Sequence, residues 1–296
     1  MTRLGVDMGG TKCAAVLFTD TADQRNAVVA ETSLPTPAGG KAVIETIVEV
    51  IEQVMAGQPE LPTSIGVGVP GLVSAGGALR YAPHLFGVLE VELQDILQHR
   101  VGQRVLVVND NTAAAWAEHR FGAGVGFADM VYVGLGTGIG GAVIANGSLI
   151  IGQNGFAGEL GHITVDRNGD LCVCGRRGCW ELYASGSGLA RLAGRSGETV
   201  TEAGRNGDAR ALAVLNRFAS EVATGLADLV NIFDPGCVVL GGGVLDPPEP
   251  LLAMISSAVS ELLGDASAHR PLPRIAAAVL GKRAGAVGAA ILAAGG

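Results

Sequence analysis

The stretch from Glu159 to Glu181, ELGHITVDRNGDLCVCGRRGCWE, limits what this chain can fold into more than any other. It gathers His162, Cys172, Cys174 and Cys179 within eighteen residues, and three of the five cysteines fall inside eight. One imidazole and three thiolates make a closed four-ligand set of the kind structural zinc prefers. Gly169, Gly175 and Gly178 supply tight turns, so that thiolates two and five residues apart can converge on one ion. Arg176 and Arg177 bring positive charge that helps keep the thiols ionised. The spacing is not that of a zinc finger. The competing reading is a reduced thiol cluster or a disulfide, although Cys-x-Cys thiols pair poorly with each other.

Carboxylates flank the ligands. Glu159 lies three residues before His162, and Glu181 two after Cys179. A histidine that gives one ring nitrogen to a metal keeps a proton on the other, which it can donate. Two carboxylates and an imidazole N–H held by one knot are suitable partners for a polyol, whose hydroxyls each donate and accept. The pattern E-L-G-H followed by C-V-C-G-R-R-G-C-W-E closely resembles the signature of the ROK family (repressors, ORFs and kinases of sugars). The resemblance implies that His162 binds zinc and sugar together, and that Glu159 and Glu181 bind sugar hydroxyls.

Two glycine turns supply the second constraint. Leu4 to Met8 reads as a short buried strand, followed by Gly9-Gly10-Thr11-Lys12 and an apolar run from Cys13 to Phe18. Such a hairpin turn can cradle phosphate, because glycine permits close approach and the amide dipoles point at the anion. It lacks the Walker A spacing, and alone it is equally well read as an ordinary glycine hairpin. At 131–144 the sequence VYVGLGTGIGGAVI repeats the plan. With an offset of 127, Gly9 falls on Gly136, Ala15 on Ala142 and Val16 on Val143. That echo predicts two related domains, each opening with a phosphate-binding hairpin, and the pair resembles the actin-like ATPase and sugar-kinase fold.

Between and after the hairpins, Lys41–Met55 has apolar residues at helical spacing, and Ile65–Val69 is a strand ending in Pro70-Gly71, a turn that exposes backbone groups to a ligand. Leu89–Leu97 reads as a helix, and Val105–Val108 as a fully apolar strand central in a parallel sheet. That strand runs into Asn109-Asp110-Asn111-Thr112 and a helix-forming stretch, Ala113–His119. A carboxylate at such a strand-to-helix junction is where open α/β sheets put their chemistry. Asp110 can equally be a plain helix N-cap, unless Asn111 or Thr112 takes that job. Asn146-Gly147 predicts a type I′ turn into a strand over 148–151. Further on, Tyr183–Ala193 is expected to be helical, Arg195–Asp208 a polar surface loop, Ala209–Phe233 a long helix and Cys237–Leu240 a strand. That strand closes in Gly241-Gly242-Gly243-Val244, which lets backbone approach a flat ligand; Pro247–Pro250 is a loop and Gly285–Ala294 a final helix of small residues.

Composition closes off other classes. A net charge of −8 with no Lys/Arg cluster offers no footprint for a nucleic acid. The N-terminus MTRLGVDMGGTK lacks the apolar core of a signal peptide, and no run of eighteen apolar residues predicts a membrane span. Cys13 and Cys237 outside the cluster, beside a thiolate metal site, fit a reducing compartment, so the expectation is a cytoplasmic protein.

The ROK resemblance covers nearly the full length, and within the family the chain looks most like bacterial glucokinases. It implies an α/β, two-domain actin-like ATPase (ribonuclease H-like) fold with a deep interdomain cleft and an inserted zinc knot over 162–179. The small N-terminal domain is expected over 1–112, with the last helix, about 285–296, packing back on it, and the large C-terminal domain over 113–284. The implied activity is ATP-dependent phosphorylation of the 6-hydroxyl of glucose, with another hexose or an N-acetylhexosamine (N-acetylmannosamine, N-acetylglucosamine, fructose, allose) or a non-catalytic sugar sensor as the alternative. Asp110 would be the catalytic base, and Gly71, Asn109, Asp110, Glu159, His162 and Glu181 would hold the sugar. Asp7, Gly9, Gly10, Thr11, Lys12, Gly136, Thr137, Gly138, Gly140, Gly242 and Gly243 would surround ATP, with Mg²⁺ on the phosphates, Asp7 orienting it through water, and structural Zn²⁺ on His162, Cys172, Cys174 and Cys179. A homodimer or homotetramer is implied. His84 stands where related glucokinases carry Asn, which predicts a sugar pocket that differs there.

Overall fold

The structure is a computed structural model that describes residues 1–19, 27–82, 85 and 89–295. His84, where the sequence differs from related glucokinases, lies outside the described residues. The chain divides into two compact units. The first comprises Met1–Val125, Leu149–Ala157 and Leu280–Gly296, the second Gly126–Ser148 and Gly158–Val279.

In the first unit, β1 (Thr2–Met8), β2 (Lys12–Thr19) and β3 (Ala27–Pro35) form an antiparallel meander. Helix α1 (Gly40–Met55) then leads to β4 (Ile65–Val69), and a small sheet of β5 (Leu72–Val73), β6 (Leu79–Tyr81) and β7 (Leu89–Val91) follows. Helix α2 (Leu93–Val101), β8 (Val105–Asn109) and α3 (Asp110–Phe121) complete this part of the chain. The five-stranded order is β3-β2-β1-β4-β8, with β4 and β8 parallel to β1. The core joins the sheet residues Leu4, Val6, Val67 and Val107 to the buried face of α1, where Val43, Ile47, Val50, Ile51 and Val54 recur at helical spacing.

The second unit repeats the plan. Strands β9 (Met130–Leu135), β10 (Ile139–Ala145) and β11 (Ser148–Leu149) lead to four helices. These are α4 (Glu181–Ala184), α5 (Gly186–Ala193), α6 (Gly197–Arg205) and α7 (Ala209–Phe233). Strand β12 (Cys237–Gly241), α8 (Leu251–Leu263) and β13 (Arg274–Ala277) follow, giving the sheet order β11-β10-β9-β12-β13. Strands β12 and β13 run parallel to β9, as β4 and β8 do to β1. The echo seen in the hairpins is therefore a repeat of the whole sheet topology.

The repeat slips by one residue at the turn. Met8 pairs with Cys13, whereas Leu135 pairs with Ile139. Beyond the second turn, which is one residue shorter, Ala142 pairs with Tyr132 whereas Ala15 pairs with Val6. The matched alanines thus sit one step apart in register.

Helix α9 (Ala284–Ala293) belongs to the first unit and lies across its sheet. A Cβ on Gly5 or Gly66 would overlap the backbone of Ala286 or Ala289, and one on Gly288 would overlap Ala113 of α3. The helix approaches closely because these positions have no side chain.

Several local expectations need correction. The predicted helix over Leu89–Leu97 starts instead at Leu93, because Leu89–Val91 pairs with β6 and Arg80 holds Glu90 and Glu92. The expected loop over 195–208 contains α6, which buries Val200 and has Gly204 against Leu215 of α7. The single helix over 183–193 is broken at Ser185, whose extended backbone lets its side chain cap α5 by accepting from the Gly188 N–H at 3.1 Å. Strand β8 is at the sheet edge, not its centre. Its apolar sequence is matched there by helix α2, whose Gln98 and Gln94 side chains accept from the Val105 and Val107 N–H groups at 3.4 and 3.1 Å. Among the described residues, no helix is long and apolar enough to cross a membrane.

Candidate functional site

In the first unit the site residues lie at the carboxyl ends of β1, β4 and β8. Parallel strands present those ends on one edge, where open α/β sheets bind ligands. Asn109 ends β8 and caps α3: its Oδ1 accepts from the Asn111 and Thr112 N–H groups at 2.9 and 3.0 Å. Its Nδ2 donates to the Gly71 carbonyl at 3.1 Å, which leaves a second N–H on that amide for a ligand. Capping thus falls to Asn109, and not to Asp110, Asn111 or Thr112. Asp110 is the first residue of the helix, where the positive end of the peptide dipoles favours a carboxylate. Its Oδ1 accepts from the Asn111 backbone and side-chain amides, both at 2.9 Å. Gly71, at φ 104°, has no room for a Cβ beside Tyr81 and Ala82.

Asp7 is half-buried near the end of β1. Burial first, and the Asp110 charge second, raise its carboxyl to about 7. A Cβ on Gly285 would come within 2.7–2.9 Å of the Asp7 carboxylate, so α9 meets that carboxylate through a glycine. Sequence reasoning missed Gly285, and also Glu118, a fully buried carboxylate on α3. Glu118 accepts from the Ala123 N–H at 2.9 Å and from the Leu280 N–H at 2.8 Å, tying the start of the C-terminal segment to the helix that opens with Asp110.

The first glycine turn is tightened from within: the Gly9 N–H donates to the Lys12 carbonyl at 2.8 Å. Thr36 braces it, donating through Oγ1 to the Gly9 carbonyl and through its N–H to the Thr11 carbonyl. Gly10, Thr11 and Lys12 are exposed and form its outer face.

In the second unit the turn is Gly136-Thr137-Gly138, closed by the Gly136 N–H on the Gly138 carbonyl at 3.0 Å. Gly140 lies beyond it, in β10 opposite Gly134. Gly242, at φ 88°, crosses the Leu135 backbone so closely that no Cβ fits, while Gly243 faces open space. The Gly136 carbonyl accepts from the Gly186 N–H, and the Thr137 carbonyl from Ser187 Oγ, both at 2.8 Å. Glu181 Oε2 accepts from the Ile139 N–H at 2.8 Å.

His162, Cys172, Cys174 and Cys179 converge as their spacing predicts, with all four donor atoms within 4.8 Å of one another. Cys172 Sγ is 3.7 Å from His162 Nδ1, and Cys174 Sγ is 3.5 Å from Cys179 Sγ. A tetrahedron with zinc bond lengths of about 2.0–2.3 Å has edges of roughly 3.5–3.8 Å, so these donors fit the ion. Burial pushes the Cys179 thiol up to about 12, so a thiolate there calls for a cation beside it. Burial also acts against Cys174, but the Arg176 N–H, the neighbouring thiols and the Arg176 charge together bring it below its ordinary value. His162 turns Nδ1 to the sulfurs and Nε2 to Glu159, whose Oε2 is 3.8 Å away. That gap is too long for a direct hydrogen bond and suits a shared hydroxyl.

The knot is anchored through Trp180, another residue that sequence reasoning passed over. Its ring is fully buried against Gly225 of α7, where a Cβ would overlap it, and its Nε1–H donates to the Glu221 carbonyl at 2.9 Å. The cluster, Glu181 and the second glycine turn therefore belong to one packed body.

Residues 3–295 match the ROK family. A glucokinase of Streptomyces coelicolor is 34% identical to the chain over 98% of it and 96% of the relative. An N-acetylmannosamine kinase of Escherichia fergusonii is also 34% identical, over 100% of this chain and 99% of that one. Among solved structures, a ROK family glucokinase from Streptomyces griseus in complex with glucose and AMPPNP matches with a TM-score of 0.89 at 35% identity, covering 100% of both chains.

Proposed function

Since this chain belongs to the ROK family, we propose that it transfers the γ-phosphoryl group of ATP to the 6-hydroxyl of glucose. It is an ATP:sugar phosphotransferase, as its glucokinase and sugar-kinase relatives are. What carries the assignment of roles is the geometry at the start of α3: Asn109 caps the helix, and Asp110 stands at its first position beside the sheet edge, its Oδ1 oriented by the Asn111 amides.

In this reading Asp110 accepts the proton of the sugar's primary alcohol as that oxygen attacks the γ-phosphorus in line with the departing ADP. Asn109 donates its second amide proton to a ring hydroxyl. Gly71, whose carbonyl holds Asn109, lines the same subsite. Glu159 and Glu181 accept from hydroxyls and His162 donates from Nε2, which the Nδ1–sulfur side of the ring frees for that task. Gly10, Thr11 and Lys12, with Thr137 and Gly138, face the phosphates; Gly242 and Gly243 lie beside the nucleoside. Gly9, Gly136 and Gly140 shape the two hairpins. Asp7 is the carboxylate that would orient Mg²⁺ through water, and burial beside Asp110 makes a cation welcome there. When bound, Mg²⁺ neutralises phosphate charge. His162, Cys172, Cys174 and Cys179 would hold structural zinc, which would fix the imidazole orientation.

A coupled ADP-release assay with Mg-ATP against hexoses and N-acetylhexosamines tests the reading. Glucose is expected to give the highest turnover. The N-acetylmannosamine kinase relative favours that sugar as the second reading, and preference for it would replace glucose. Asp110→Asn should retain glucose binding by calorimetry and lose about 10²–10⁴-fold in turnover. Turnover near wild type would remove Asp110 from the role of base.

A further inference from the structure

The hydrogen bond between Glu181 and the second glycine turn carries more than a sugar-binding role for that residue. Its Oε2 is 2.8 Å from the Ile139 N–H, the group that ends the turn. A Cβ on the adjoining Gly138 would meet that same carboxylate oxygen. The turn's other supports, the Gly186 N–H and the Ser187 hydroxyl, hold the Gly136 and Thr137 carbonyls. Of the three, only Glu181 comes from the segment that also carries the metal ligands, two residues after Cys179.

We propose that Glu181 is a positioning residue for the second phosphate turn, and that through it sugar binding and nucleotide binding reinforce each other. The inference rests on the reading that this turn holds phosphate and that Glu181 meets a sugar hydroxyl. The physical cause is simple. One oxygen fixes Ile139 and thereby the conformation of Gly138 and Thr137, which leaves the other oxygen of the same rigid group for a hydroxyl. A sugar that orders the carboxylate thus orders the turn. Linkage requires the converse, that a nucleotide ordering the turn favours the sugar by the same factor.

The test is calorimetric titration of the zinc-loaded full chain with AMPPNP in the absence of any sugar. Glu181→Ala should weaken AMPPNP by about two- to tenfold, the range expected for one lost hydrogen bond. Glu181→Gln, whose amide oxygen can still accept from Ile139, should restore wild-type affinity, which a merely structural role would not require. Gly138→Ala gives the reciprocal reading: it leaves Glu181 in place, displaces its carboxylate, and should weaken glucose in nucleotide-free protein although Gly138 itself touches no sugar. Wild-type AMPPNP affinity in Glu181→Ala, or wild-type glucose affinity in Gly138→Ala, would overturn the inference and leave the kinase reading standing. A wild-type chain that binds no AMPPNP at all would sink both.

Discussion

Asp7 is a carboxylate whose chemistry differs most from its ordinary behaviour. Its folded value of about 7 lies above the aspartate reference of 3.8, because burial and the neighbouring Asp110 both disfavour the charge. The folded chain therefore holds a proton that the unfolded chain releases. Stability from this group is present in full below about pH 4 and is lost as pH rises through about 7. In nucleotide-free protein the melting temperature should fall between about pH 4 and 7, and Asp7→Asn should flatten that slope. An unchanged slope in the variant would assign the pH dependence elsewhere. The motif D-M-G-G-T-K announced Asp7 as a site residue, but nothing in it announced Gly285, which lies at the other end of the chain. Glu118 was hidden for a related reason. In A-W-A-E-H-R it looks like a solvent-facing helical glutamate, and the sequence does not show that the Ala123 N–H and the Leu280 N–H, the latter far along the chain, hold its buried carboxylate.

At the scale of elements, the metal cluster was legible because its four ligands are close in sequence and each has a chemistry that few other arrangements use. The device that holds it in place was not. Trp180 packs into α7 at Gly225, and a tryptophan beside a cysteine gives no sign of which helix will receive it. Gly225→Ala should push the ring out of its seat and cost about 1–3 kcal/mol, the range for an extra methyl forced into a packed core. Chemical denaturation would measure that loss, and zinc content should fall with it. Full stability with full zinc occupancy would show that the knot does not depend on this seat. Helices α1 and α7 were legible from their apolar periodicity. Short helix α6 was not, because Gly197, Gly204 and polar residues dilute its signal and its burial depends on Leu189 and Leu215. The break at Ser185 was missed because small residues in 184–188 permit either a continuous helix or a capped restart.

Across the whole molecule, the repeat of five strands was foreshadowed by two glycine hairpins, but their register was not. The one-residue difference between the two turns lies in backbone hydrogen bonds, Gly9 to Lys12 in one and Gly136 to Gly138 in the other. A sequence offset averages over that difference. The final helix is the other whole-molecule feature. It covers β1 and β4 and packs on α3, so the first unit is closed by the last residues of the chain. Ending the chain at residue 279 should therefore leave amides of β1 and β4 open to hydrogen exchange, while those of β9 and β12 stay protected. Protection throughout would mean that the first sheet needs no covering helix.

That closure has a consequence for how the protein is made. A ribosome releases the first unit's sheet early, yet the helix that seals it emerges only after the whole second unit has been synthesised. At roughly 5–20 residues per second, the N-terminal sheet waits on the order of ten seconds or more with one face unsealed. The second unit, contiguous except for 149–157, has all its strands by residue 277 and can complete its core first. Birth order and completion order are thus reversed in this chain, and the nascent first half is where a chaperone would find its handhold.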